Sequence, residues 1–107
     1  MGYTPQILRL PMNSSVHRMM NERRETGAPY AAAGSLRCEC ECHRAECGKN
    51  FEMTVTAYEL VRSDARQFVV APDHQLAEDL LVSLTPAYRV IEKVGDSGRI
   101  AQALNPR

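Results

Sequence analysis

An α+β fold is the architecture that three features of this 107-residue sequence predict. Short alternating apolar runs suited to strands are mixed with short helical patterns, without the regular spacing of βαβ units. The length suits a single domain with one modest core. Four cysteines, Cys38, Cys40, Cys42 and Cys47, crowd into ten residues of a chain with no tryptophan and only six aromatic residues. A core so short of large side chains is the kind that a crosslink or a metal helps to hold.

Taken in order, residues 1–12 contain two prolines and no usable periodicity and read as a flexible arm. From Asn13 the pattern becomes helical. Ser14 or Ser15 can cap the helix, and Val16, Met19 and Met20 fall at the i, i+3, i+4 spacing. Gly27 and Pro29 mark its end, and Ala31-Ala32-Ala33-Gly34 reads as a linker. This divides the chain into residues 1–34 (arm, short helix and linker) and residues 35–107 (the α+β domain). In the second part, residues 35–40 and 51–55 read as strands. Thr56 with Glu59 fits a capping box for a helix through about residue 63. Residues 67–71 read as a strand stopped by Pro72, and residues 80–84 and 88–94 as a hairpin around Thr85-Pro86-Ala87. Asp96 or Ser97 would cap a last short helix over Ile100, Ala101 and Leu104.

The formal charge is zero over the whole chain but unevenly placed. The first 37 residues carry five arginines against two glutamates, and the remainder is mildly acidic. A neutral whole argues against strong non-specific nucleic-acid binding, which neutralises several phosphates at once. The longest apolar stretches are a handful of residues, far short of the roughly 20 a membrane helix needs. The start has no apolar signal core, so a cytoplasmic location is expected. Thiols stay reduced there and serve as metal ligands before they serve as disulfides.

Geometry restricts how the cysteines can share an ion. With zinc–sulfur bonds of about 2.3 Å, two thiolates on one tetrahedral zinc lie roughly 3.8 Å apart. Residues i and i+2 of an extended strand are about 6.6 Å apart, so a Cys-x-Cys pair chelates only where the chain turns. The turn belongs near Cys42, because Cys47 returns five residues later. That selects Cys40, Cys42 and Cys47 and leaves Cys38 on the incoming strand. A structural zinc needs a fourth ligand, for which Cys38, His43, His74 and His17 compete. His74 stands at a proline-fixed strand end, whereas His43 adjoins a ligand and would strain the turn. Cys38 suits a small core position, and Glu39, Glu41 and Glu46 suit a solvated rim.

The run Cys40-x-Cys42, four residues, Cys47 is followed by Thr54 and by Tyr58-Glu59-Leu60-Val61-Arg62. Phe68-Val69-Val70-Ala71-Pro72-Asp73-His74 and Val90-Ile91-Glu92-Lys93-Val94 complete the pattern. Over roughly residues 37–94 this resembles a family of small uncharacterised actinobacterial zinc-knuckle proteins. The resemblance implies Cys40, Cys42, Cys47 and His74 as the metal quartet and one structural Zn2+ as cofactor, and it supplies no activity. Zincin and deaminase helix motifs are absent, so no catalysis is expected. The expected role is a protein-interaction module, with transcription regulation as one setting. One alternative is a thiol redox sensor that releases zinc on oxidation, with Cys38 as resolving thiol. The other is a weak nucleic-acid binder acting through the basic front segment. The helix over Val16, Met19 and Met20 would either fold onto a partner or pack on the domain's own sheet.

Overall fold

A computed structural model describes residues 6–26 and 34–107, with side chains from residue 11 onward in the first segment. Residues 1–5 of the expected arm, the Gly27 and Pro29 stop and the Ala31-Ala32-Ala33 linker lie outside the described residues. The fold is α+β, with three helices and two small antiparallel sheets among the described residues. No helix of the described residues is long and apolar enough to cross a membrane.

Strands β1 (Ser35–Glu39) and β2 (Asn50–Thr54) pair antiparallel, with Cys38 opposite Phe51 and Leu36 opposite Met53. Both strands alternate as the period of two requires: Leu36, Cys38, Phe51 and Met53 are buried and their neighbours face out. Helix α2 (Val55–Arg62) leaves β2 directly. Its cap is Thr54, whose hydroxyl accepts the Ala57 N–H at 3.0 Å, rather than the expected Thr56. The helix therefore starts as soon as the pairing with β1 ends, and the strand's last residue serves both elements.

The second sheet runs β3 (Gln67–Val70), β5 (Arg89–Glu92), β4 (Leu80–Leu84), with the expected 80–84 to 88–94 hairpin as β4–β5. Phe68, Val69 and Val70 are completely buried, and Val90 and Ile91 nearly so. Edge strand β4 is exposed along its whole length and carries an irregularity between Leu81 and Ser83. Irregularities of this kind are a usual guard of a sheet edge.

Helix α3 (Gly95–Ala103) begins after Val94 without a side-chain cap, so neither Asp96 nor Ser97 acts as expected. Gly98 explains part of its seating. A Cβ there would lie 2.7 Å from the Lys93 carbonyl oxygen, so only glycine lets the helix approach that main chain.

The front helix departs most from expectation. Helix α1 spans Gln6–Thr26, starting seven residues before Asn13 and running through Pro11. It packs on the rest of the chain by its polar face. Ser14, Ser15, His17, Arg18 and Asn21 are buried, while Met12, Val16, Met19 and Met20 are 40 to 56% exposed. Arg18 is fully buried. Its guanidinium donates to the carbonyls of Ala65 (2.7 Å) and Ala101 (2.8 Å) and lies 4.4 Å from the centre of the Phe68 ring. Burial, then the neighbouring Arg62, lowers its pKa to about 10. Arg18 is thus neither a solvated residue nor a free cation. It ties α1 to the turn before β3 and to α3.

Candidate metal centre

Strand β1 delivers the chain to a tight loop over residues 40–49. Pairing continues one step past the strands, with the Cys40 N–H on the Lys49 carbonyl at 2.9 Å. The loop then turns, with Cys47 N–H toward the Arg44 carbonyl at 3.4 Å. Gly48 takes a positive φ of 68°, a conformation that glycine adopts without a Cβ clash. A second loop comes from β3. After Val70 the chain turns through Pro72 and Asp73, and the His74 N–H closes on the Ala71 carbonyl at 3.1 Å. Asp73 sits at φ 68°, a left-handed position that Asp tolerates better than most residues.

These two loops bring Cys40, Cys42, Cys47 and His74 together. One ligand atom from each lies within 4.8 Å of all the others, and among the described residues this is the group of this kind. His74 Nδ1 is 3.6 Å from Cys40 Sγ and 3.4 Å from Cys47 Sγ. A tetrahedral zinc with bonds of about 2.3 Å to sulfur and about 2.05 Å to nitrogen would separate these atoms by roughly 3.5 Å. Three thiols and an imidazole at these distances can hold a metal ion, and Nδ1 is the histidine atom presented to it.

The sulfurs also receive main-chain donors. The Ala71 N–H reaches Cys40 Sγ at 3.1 Å. The Cys40 thiol and, more weakly, the Arg44 main-chain N–H hold the Cys42 thiol below its ordinary value. The Cys42 hydrogen bond and burial push Cys40 upward. A divalent ion would allow these neighbouring thiolates to coexist.

The other contenders for the fourth position stand outside this group. Cys38 is fully buried in the core opposite Phe51. Burial, then nearby Glu41, pushes its thiol up to about 12. His43 offers its carbonyl to Asn13, and His17 donates from Nε2 to the Arg44 carbonyl. We expect His74→Ala to lose most bound metal, while His43→Ala keeps it. Metal per chain after gel filtration, measured on both variants, checks this; equal retention, with loss in Cys38→Ser, would indicate four cysteines.

Glu41 corrects the reading of the acidic residues. Glu46 is exposed and Glu39 pairs with Arg24, but Glu41 is fully buried between the two candidate ligands Cys40 and Cys42. Its carboxylate accepts from Asn21 Nδ2 (2.8 Å), Tyr58 OH (2.9 Å) and the Val69 N–H (3.1 Å). Its own N–H donates to the Val69 carbonyl at 2.7 Å. Burial raises its pKa, and the Asn21, Val69 and Tyr58 hydrogen bonds oppose that rise. Glu41 therefore locks the cysteine loop to β3, the strand that leads to His74. Alternation with the cysteines was the one available signal for it: a residue between two chelating neighbours in a turning chain points away from the ion.

The chain matches no protein-family model, no curated protein and no solved structure.

Proposed function

We propose that this is a small structural-zinc protein of the cytoplasm that works by binding a protein partner. The observation that carries the zinc reading is the spacing of His74 Nδ1 from Cys40 Sγ and Cys47 Sγ, 3.6 and 3.4 Å, in a set with Cys42. Four protein ligands close a tetrahedral shell, and thiolate-rich closed shells belong to structural rather than catalytic zinc. A zinc-thiolate centre is durable where thiols are kept reduced, which supports the cytoplasmic assignment. The proposed kinship with actinobacterial zinc-knuckle proteins rests on the same residues.

The interaction reading draws on the outward face of α1. Met12, Val16, Met19 and Met20 are all exposed on a helix whose inner face is already used. Methionine-rich apolar stripes adapt to a partner's groove. The nucleic-acid reading draws less support, since Arg18 is consumed in the core and Arg24 pairs with Glu39. The redox reading draws less as well, since Cys38 is fully buried.

A photo-crosslinking residue at Met19 in living cells, compared with one at exposed Glu52, tests the interaction reading. A discrete adduct specific to position 19, abolished by Val16→Asp with zinc retained, is the expected result. Equal, diffuse labelling at both positions would remove the basis for this surface.

A further inference from the structure

The inner face of α1 ends on the main chain of the cysteine loop and the strand that feeds it. Asn13 Nδ2 donates to the His43 carbonyl at 3.0 Å, and His17 Nε2 donates to the Arg44 carbonyl at 2.8 Å. Asn21 brackets Glu39 in both senses, donating to its carbonyl at 2.9 Å and accepting its N–H at 2.7 Å. Arg24 reaches the Arg37 carbonyl at 3.2 Å. Residues 13, 17, 21 and 24 form one stripe along a helix. Asn21 also holds the carboxylate of Glu41, between ligands Cys40 and Cys42.

Carbonyls of a loop are aimed by the path of that loop. The path of residues 40–47 bends because the side chains of Cys40, Cys42 and Cys47 converge on one point with His74. Relax that convergence, and the tip of the loop at residues 43 and 44 keeps only the long Cys47 N–H contact to the Arg44 carbonyl at 3.4 Å, too little to fix the spacing of Asn13 and His17. Contacts to main-chain groups of this kind report the shape of the loop and not the identity of its side chains.

We propose that α1 is a metal-dependent latch. Metal in the Cys40, Cys42, Cys47 and His74 site sets the carbonyls on which Asn13, His17 and Asn21 dock, and metal loss frees that face of the helix as the first step of the unfolding that chelation causes. The inference rests on the reading of that site as a zinc site. Because coupling between two equilibria is reciprocal, docking of α1 must in turn tighten metal binding. The methionine stripe lies on the same helix, so any partner bound there would respond to the metal state of the loop.

The test is a zinc competition titration against a chromophoric chelator on the full chain. Wild type is compared with Asn13→Ala, His17→Ala, Asn21→Ala and, as control on the opposite face of the same helix, Val16→Ala. None of these residues is a metal ligand. The expected result is about one zinc per chain throughout, with affinity at least ~10-fold weaker in the inner-face variants and unchanged in Val16→Ala. Unchanged affinity in the inner-face variants, at full stoichiometry, overturns the latch and leaves the zinc site standing. Absence of zinc binding by wild type overturns the zinc reading itself. Should Asn21→Ala fail to fold, half-buried Asn13 gives the same comparison at the far end of the stripe. Amide exchange supplies a second readout: protection over residues 13–24 should rise in proportion to bound zinc, and protection independent of zinc would contradict the latch.

Discussion

Chelation of the metal is expected to unfold the domain rather than leave a native fold with free thiols. Structural zinc sites in small peptides contribute on the order of 10–16 kcal/mol of apparent binding free energy. A whole domain is stable by only about 5–15 kcal/mol. Here the loss is concentrated where it does most damage. Cys40 and Cys42 are both buried and stand at the junction of β1, β3 and α1. Without the ion, three thiols converge on one imidazole with no charge to hold them. Buried Tyr58, hydrogen-bonded to Glu41 beside the ligands, provides the probe. Its near-ultraviolet dichroism should vanish on chelation, together with the cooperative thermal transition, and return when zinc is restored. A chelated protein with an unchanged melt would contradict this.

Removal of residues 1–33 is expected to have the second largest effect. On sequence alone the segment looked separable, with a thin stripe of Val16, Met19 and Met20 beside three arginines. Its buried face turns the expectation around. Truncation strips Arg18 from the Phe68 ring and from the carbonyls of Ala65 and Ala101. It deprives the Glu41 carboxylate of Asn21, and it deprives buried Arg62 of Glu22. Taking one partner from a buried charged pair costs about 3–5 kcal/mol. In a domain this size each kcal/mol moves the melting temperature by roughly 4–8 °C. A fall of more than about 10 °C should follow. A truncated chain that melts within a few degrees of the intact one and keeps its zinc would show that α1 is an appendage.

Most of the α+β pattern could be read from periodicity, because β1, β2, β3 and β5 present buried positions of the expected kind. Strand β4 was found by its β-rich composition although both of its faces are exposed. The cysteine spacing was equally legible, since few chain paths place Cys40, Cys42 and Cys47 around one point. His74 required a contact 34 residues away from Cys40, for which the strand end at Pro72 was the one local hint.

The inner face of α1 escaped because it breaks the rule that apolar residues mark the buried side of a helix. His17, Arg18 and Asn21 are buried, and Asn13 half-buried, in order to satisfy carbonyls of the loop and of the core, and sequence periodicity weighs apolar positions only. Polar residues repeating at intervals of four were visible, but nothing distinguished them from a solvated face. Glu41 escaped for the same reason. A carboxylate buried with three hydrogen-bond donors has the same sequence signature as one in water.

The most direct measurement is the metal content of the protein purified without added metal, paired with a count of thiols that react in the native state. About one zinc per chain is expected, with Cys40, Cys42 and Cys47 protected until the metal is removed. A natively folded chain carrying no stoichiometric metal, with those three thiols freely reactive, would contradict the zinc centre and everything built on it.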